Sequence, residues 1–176
     1  MRPEDYPPQE PMSALAKSYH DEVMRRGAGV TGEELAYGDD PYQSILVCRA
    51  ERPDGNLLAF LHGGGWTNGY KEWLAFMAPA LTRAGITFAS IGYRLAPQHV
   101  FPAGFEDARA GVSLLRARAA GFGADPARLF VGGHSAGGHY AALMAVRSVW
   151  EPGASPGPGS IRGCLPISGV FDFGPT

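Results

Sequence analysis

Two short glycine-rich segments carry residues that could together cleave a carbonyl compound. Residues 133–137 read Gly-His-Ser-Ala-Gly, with a buried strand pattern directly before them and a helix pattern directly after them. A serine hydroxyl attacks a carbonyl only when it protrudes from the backbone, and glycines two residues to either side leave room for the sharp turn that this requires. The context of strand, turn and helix therefore predicts that Ser135 is a nucleophile.

The second segment, residues 62–66, reads His-Gly-Gly-Gly-Trp and follows directly on a strand pattern at residues 57–61. Acyl transfer builds negative charge on the carbonyl oxygen, and fixed backbone N–H groups aimed at that oxygen stabilise it. Glycines let the main chain approach closely enough. Because parallel strands end on one edge of a sheet, we expect this loop and the turn at Ser135 to emerge on the same side.

Strand and helix patterns alternate along the chain and predict the fold class. Apolar residues at three- and four-residue steps predict helices at about residues 12–26, 73–84, 105–119 and 136–149, and apolar runs predict strands at 44–48, 57–61, 86–91, 129–132 and 163–167. This alternation implies crossover connections, and hence an α/β fold with a mainly parallel sheet and helices on both faces. The first two strands flank a Pro-Asp-Gly turn and are expected to pair as neighbours.

Composition narrows the class of protein. The 176 residues suit one folded domain, which we divide into an N-terminal helical extension (1–33) and an α/β core (34–176). A net charge of −2 with no basic stripe disfavours nucleic-acid binding. Cys48 and Cys164 suggest neither a disulfide framework nor a metal site, and both are expected to be small buried residues. An acidic, proline-broken start and the lack of any 18-residue apolar run predict a cytoplasmic protein without membrane attachment.

Four segments together resemble a known family. They are His-Gly-Gly-Gly-Trp at 62–66, Tyr-Arg-Leu-Ala-Pro at 93–97, Phe-Pro at 101–102 with Glu-Asp at 106–107, and Gly-His-Ser-Ala-Gly-Gly at 133–138. Over about residues 34–173 the chain resembles the hormone-sensitive-lipase-like and arylformamidase-like branches of the α/β-hydrolase superfamily. The resemblance implies an α/β-hydrolase fold, an acyl-enzyme on Ser135, a small-molecule ester or amide substrate, and neither a cofactor nor a metal.

By the same resemblance, the N–H groups of Gly64, Gly65 and Ala136 form the oxyanion hole. Trp66 stands next to this hole, where it is either a wall of the acyl pocket or an ordinary packing aromatic. Ser135 remains the nucleophile, and the acyl group is expected to be small to medium in size.

The sequence departs from the family pattern in two places. Many relatives carry an acidic residue before Tyr-Arg-Leu-Ala-Pro, whereas this chain has Gly92. The family order is Ser, then Asp or Glu, then His, and no histidine follows His139. Because a serine without a base is a poor nucleophile, the second departure bears directly on catalysis.

None of the five histidines is a convincing base for Ser135. By the resemblance, His62 and His134 are structural. His139 lies one turn into the helix after Ser135, where it is expected to pack or to line a pocket. His20, on the first predicted helix, and His99, after Ala-Pro-Gln, are expected to be solvated.

Nearby carboxylates have plain structural interpretations as well. Asp172 follows the last predicted strand, where a displaced triad acid is one alternative and capping or turn formation is favoured. Glu106 and Asp107 are expected in the first turn of a helix, where acidic groups suit the positive end of the dipole.

The chain stops where a further covering helix is due. We therefore expect the missing carboxylate, histidine and strands on a second polypeptide, either a C-terminal fragment or a partner subunit.

Three functions remain open. The Tyr-Arg-Leu-Ala-Pro segment with Phe-Pro favours a carboxylesterase of the hormone-sensitive-lipase type. The opening helix and the segments at 35–39 and 168–172 look more like arylformamidases, which hydrolyse N-formylkynurenine. The third alternative is an inactive α/β-hydrolase-like binding module that keeps the serine turn but lacks the triad.

Overall fold

Six β-strands and four α-helices alternate along the part of the chain that the computed structural model describes, residues 1–150, 153 and 156–174. The strands are β1 (Glu33–Ala36), β2 (Ser44–Cys48), β3 (Gly55–Leu61), β4 (Thr87–Ile91), β5 (Ala124–His134) and β6 (Gly163–Ile167). The helices are α1 (Ala14–Gly27), α2 (Ala78–Arg83), α3 (Ala103–Arg118) and α4 (Ala136–Trp150). Among these described helices, none combines the length and apolarity that crossing a bilayer requires.

The sheet has the strand order β1-β2-β4-β3-β5-β6. β4, β3, β5 and β6 run parallel, and β1 and β2 add antiparallel pairs at one edge. The predicted α/β class with a mainly parallel sheet is confirmed. The predicted pairing of β2 with β3 is wrong, because β4 lies between them and pairs with both. All five residues of β4 are buried, and a strand that is buried on both faces is most stable inside the sheet.

The segment before β4 also differs from the prediction. A continuous helix was expected at 73–84, but residues Lys71–Met77 form a 3₁₀ segment and α2 begins only at Ala78. Pro79 stands in the first turn of α2, where its missing N–H costs no helical hydrogen bond. An α-helix running through this proline would lose the bond to the carbonyl four residues earlier, so the change of helix type falls here.

The core lies on both faces of the sheet. Alternate residues of β3 divide between the faces: Leu57 and Leu61 belong to the cluster that includes α3 and α4, and Phe60 belongs to the cluster that includes the 3₁₀ segment. Cys48 is buried, as expected, whereas the prediction for Cys164 is wrong because this residue is exposed on β6. β6 is an edge strand of the described sheet, so its outer side has no neighbouring strand to cover it.

Candidate active site

Ser135 occupies a sharp turn between β5 and α4. Its φ of 51° lies in the left-handed region, which costs free energy for a residue other than glycine and is typical of functional turns. Its backbone N–H donates to the carbonyl of Ile167 (2.9 Å), and its own carbonyl accepts from the N–H of His139 (3.0 Å). The turn is therefore held from two sides, by β6 and by the first turn of α4.

The two glycines around Ser135 are required by close backbone approach. A Cβ atom on Gly133 would lie 2.2 Å from the carbonyl oxygen of Gly137, and one on Gly137 would lie 2.2 Å from the carbonyl oxygen of Leu61. No side chain fits at such distances. The absence of side chains lets the start of α4 rest directly on the end of β3.

The glycine-rich segment after β3 lies against this turn. We call residues 62–69 the oxyanion loop, after the role that the sequence predicts for its glycines. A Cβ atom on Gly63 would lie 3.2 Å from the Cβ of Ser135, so the loop and the serine are in contact. Gly64 and Gly65 have φ values of 118° and 61°, which glycine adopts without strain. The structure thus brings together the two segments that the sequence predicted to meet.

Residues of the Tyr-Arg-Leu-Ala-Pro segment hold the oxyanion loop in place by hydrogen bonds and ring stacking. The hydroxyl of Tyr93 donates to the carbonyl of His62 (2.7 Å), and the two rings stack with centroids 4.2 Å apart. The N–H of Ala96 donates to the carbonyl of Trp66 (2.9 Å). Both ends of the segment 62–66 are therefore fixed to the chain that follows β4.

His62 is fully buried and serves the loop structurally, as the resemblance implied. Its Nδ1 lies 2.7 Å from the carbonyl oxygen of Gly63 and donates to it. The other ring nitrogen, Nε2, has no hydrogen-bond partner among the described residues. Burial lowers the pKa of His62 to about 4, because the charged imidazolium would lose its hydration. The ring is therefore neutral near pH 7.

The partly exposed Arg94 and the buried Asp107 form an ion pair that sequence reasoning missed. Nε and Nη2 of Arg94 each lie 2.8 Å from an oxygen of Asp107, and Gln43 donates to the same carboxylate (2.8 Å). Asp107 is 3% exposed and lies beyond the first turn of α3, so its predicted dipole role is wrong, whereas Glu106 does lie in that turn. An arginine within an otherwise apolar motif was the available signal, since a charge there needs a partner.

Gly92, the first departure from the family pattern, has a packing reason. A Cβ atom on this residue would lie 2.5 Å from the carbonyl oxygen of Tyr42. The hydroxyl of Tyr37 also donates to the carbonyl of Gly92 (2.6 Å). The backbone of Tyr42 and Ser44 therefore takes the space that a side chain at residue 92 would need.

A cavity of about 490 Å³ opens beside the oxyanion loop. Its lining is mostly aromatic and aliphatic and consists of Gly65, Trp66, Ala96, His99, Val100, Phe101, His139, Tyr140 and Phe173. The ring of Trp66 lies 6.2 Å from that of Phe173 and 5.8 Å from that of His139. This apolar chamber can take an uncharged group next to the loop.

Two histidines, His20 and His99, depart from the prediction that they are solvated. His139 lines the cavity, and its Nδ1 donates to the carbonyl of Val170 (2.7 Å). His99 lines the same cavity. His20 is not simply solvated as predicted, because it accepts a hydrogen bond from the indole N–H of Trp73 (2.9 Å) where α1 packs on the 3₁₀ segment. Over residues 1–150 and 156–174, no histidine side chain is hydrogen-bonded to Ser135.

Asp172 adopts the turn role that the sequence favoured. Its Oδ1 accepts a hydrogen bond from the N–H of Gly174 (2.8 Å), which closes a local turn after β6.

Comparisons with known proteins agree with this geometry. The chain is 34% identical over 110 residues to an isoprenylcysteine alpha-carbonyl methylesterase of Arabidopsis thaliana and 40% identical over 90 residues to a carboxylesterase, NlhH, of Mycobacterium tuberculosis. These matches cover 61% and 51% of the chain, and they span 26% and 28% of the two relatives. Among solved structures, a bacterial heroin esterase matches 81% of the chain and 49% of its own length, with a TM-score of 0.65 and 29% identity.

A family model described as alpha/beta hydrolase fold matches residues 58–176, which include the oxyanion loop, the Tyr-Arg-Leu-Ala-Pro segment and the turn at Ser135. The match covers well over half of the chain. With the sheet order and the serine turn between β5 and α4, it establishes that the chain belongs to the α/β-hydrolase family.

Proposed function

We propose that this chain supplies the nucleophile and the oxyanion hole of a carboxylic ester hydrolase. The observation that carries the proposal is the contact of Gly63 with Ser135, which sets a strained serine beside a glycine loop. The names of the relatives, a methylesterase and a carboxylesterase, support an ester as substrate.

In the proposed reaction the oxygen of Ser135 forms a bond to the carbonyl carbon of the ester, and the serine proton passes to a base. The N–H groups of Gly64, Gly65 and Ala136 stabilise the negative oxygen of the tetrahedral intermediate. The bond to the alcohol oxygen then breaks, and the alcohol leaves with the proton held by the base. Water cleaves the acyl-enzyme by the same steps and restores the serine.

The cavity beside the loop supports a small to medium acyl group. Trp66 and Phe173 line it, together with Gly65 of the oxyanion loop. Apolar walls favour an uncharged aliphatic or aromatic group, because a charge placed there would lose its hydration. A cavity of about 490 Å³ falls within the usual range for small ligands.

The base and the triad acid come, in this proposal, from a second polypeptide that carries the C-terminal part of the fold. The chain spans about half of the length of the matched esterase structure. Leu165 and Ile167 on the outer strand β6 are 52% and 43% exposed, and Phe171 and Phe173 beyond it are 59% and 67% exposed. An apolar edge of this kind suits a further parallel strand.

The position of β6 also explains how such a strand would reach the site. The carbonyl of Ile167, at the carboxyl end of β6, accepts from the N–H of Ser135. A parallel neighbour of β6 would end on the same rim of the sheet, so the loop after it could bring an imidazole to the serine hydroxyl. A groove of about 310 Å³ along one face of β5 and β6, lined by Leu58, Phe130 and Leu165 among others, would seat a covering helix.

Purification from the source cells through a tag on this chain, followed by intact-mass analysis, tests the proposal. We expect a second polypeptide in equal amount and labelling of Ser135 by a fluorophosphonate probe. Ser135→Ala should abolish labelling and lower kcat by at least ~10³-fold, whereas Ser18→Ala, on the exposed face of α1, should change neither. A monomeric, fully active preparation containing this chain alone would refute the second-polypeptide part.

Substrate preference separates the remaining alternatives. Turnover of p-nitrophenyl acetate is expected to exceed turnover of N-formylkynurenine, and the reverse order would favour an arylformamidase. A preparation in which Ser135→Ala leaves every activity unchanged and no probe labels the serine would instead indicate an inactive binding module.

A further inference from the structure

We infer that Gln9 is a positioning residue for the oxyanion loop, so that the segment before α1 helps to aim the proposed oxyanion donors at the substrate. The inference rests on the proposed function. It starts from an unusual pair of hydrogen bonds between the side chain of Gln9 and the backbone of Gly69, which is the last residue of the loop.

The side-chain amide of Gln9 pairs with both polar groups of one residue. Its Oε1 accepts from the N–H of Gly69 (2.9 Å), and its Nε2 donates to the carbonyl of Gly69 (2.8 Å). Next to it, the side-chain amide of Asn68 donates to the backbone carbonyl of Glu10 (2.6 Å). With a longer bond from Nδ2 of Asn68 to Oε1 of Gln9 (3.5 Å), four hydrogen bonds join residues 9–10 to residues 68–69 across a sequence distance of about 60 residues.

Residues 68–69, which are hydrogen-bonded to residues 9–10, are in direct contact with residues 62–64 at the start of the same loop. A Cβ atom on Gly69 would lie 2.3 Å from Nδ1 of His62 and 2.6 Å from the carbonyl oxygen of Gly63. The N–H of Asn68 donates to the carbonyl of Gly64 (3.0 Å), and a Cβ atom on Gly64 would lie 1.9 Å from the carbonyl oxygen of Asn68. With no free space between them, a shift of residues 68–69 must move residues 63–64 as well.

The segment that carries Gln9 is itself anchored. Nε2 of Gln9 also donates to the hydroxyl of Tyr42 (2.8 Å), and that hydroxyl donates to the carbonyl of Pro7 (3.1 Å). Tyr6 is buried, and its ring packs at 4.8 Å from Tyr42 and 5.0 Å from Tyr70. The clamp therefore ties the loop to a fixed part of the molecule rather than to a free chain end.

The consequence for hydrolysis follows from where the charge develops. The oxyanion donors act on the transition state, so misplacing them lowers kcat more than it changes KM. Gln9 is not among the residues that line the cavity. Its loss should therefore act through the loop, with little effect on substrate binding.

The test compares Gln9→Met with Gln98→Met in the purified complex. Methionine keeps the length of the side chain and removes the hydrogen bonds to Gly69, whereas Gln98 is exposed and serves as the matched control. For Gln9→Met we expect the backbone amides of residues 64–69 to exchange hydrogen about 10-fold faster. We also expect kcat to fall by about 10- to 100-fold with KM within about twofold of the unmodified value. The control should change neither quantity.

Two results would overturn the inference: unchanged exchange at residues 64–69, or faster exchange with an unchanged kcat. The exchange measurement does not depend on hydrolysis. If the unmodified complex cleaves no ester and Ser135 takes no probe, the proposed function fails, and the exchange data still report on the clamp separately.

Discussion

The residues on the two sides of Ser135 differ in how completely this chain buries them. On the side of the oxyanion loop, Tyr6, Lys71 and Trp73 are at most 8% exposed and form hydrogen bonds within the chain. On the side of β6, Leu165 and Phe171 are more than half exposed. The first side is buried within this chain, whereas the second leaves apolar surface in water, which the proposed second polypeptide would cover.

The largest expected effect lies on the buried side. Nζ of Lys71 is within 3.0 Å of Glu72 and 3.3 Å of Glu34, and it donates to the hydroxyl of Tyr6 (2.6 Å). Lys71→Met removes one of two cations at the largely buried Glu72, the other being the N-terminal amine (3.2 Å), so the free energy of unfolding should fall by about 3 kcal/mol in urea denaturation. Lys17→Met, which removes an exposed helical pair with Asp21, should leave the midpoint unchanged. Equal losses in both variants would contradict the prediction.

A second effect on the buried side depends on pH. The pKa of His62 is lowered to about 4 in the folded chain, whereas an unfolded histidine titrates near ~6.5. As the pH falls below 6.5, the unfolded chain takes up this proton first, so His62 should lower the free energy of unfolding by about 3 kcal/mol by pH 4.

The variant His62→Asn isolates this contribution. Its free energy of unfolding, measured by urea denaturation from pH 7 to pH 4, should fall less steeply than that of the unmodified chain. Gln98→Asn, at an exposed residue that does not titrate, should keep the original slope. Parallel curves for His62→Asn and the unmodified chain would refute the prediction.

A substitution on the exposed side should weaken binding of the second polypeptide and leave the stability of this chain nearly unchanged. Leu165→Asp places a charge on the outer strand and should lower the affinity for the second polypeptide by at least ~10-fold, measured by titration of the separated components. Its effect on the free energy of unfolding of this chain should stay within about 0.5 kcal/mol. Leu15→Asp is the matched control, because Leu15 is 83% exposed on α1. Equal affinities for the two variants would argue against β6 as the interface.

The smallest effect is a change in thiol reactivity. Cys164 on β6 is exposed and should react with iodoacetamide in the separated chain, whereas the buried Cys48 should not. In the complex, Cys164 should be protected from alkylation. Mass spectrometry measures the alkylated fraction of each cysteine in the separated chain and in the complex. Unchanged alkylation of Cys164 on association would place the interface elsewhere.

Local sequence patterns predicted the α/β class because strand and helix periods persist over several residues and depend little on distant contacts. They also predicted which two segments meet, since the glycine-rich loop follows β3 and the serine turn follows β5 in neighbouring parallel strands. The pairing of β2 with β3 was predicted wrongly because adjacency along the chain says nothing about a third strand that pairs with both.

The sequence by itself therefore determined the fold class, the nucleophile candidate and the glycine positions, because each depends on short-range geometry. Only the tertiary structure decided that Asp107 neutralises Arg94, that Tyr42 excludes a side chain at Gly92, and that Gln9 holds Gly69. Each of these contacts joins residues 13 to 60 positions apart. No periodic pattern records such pairs, since they exist only after the elements have packed.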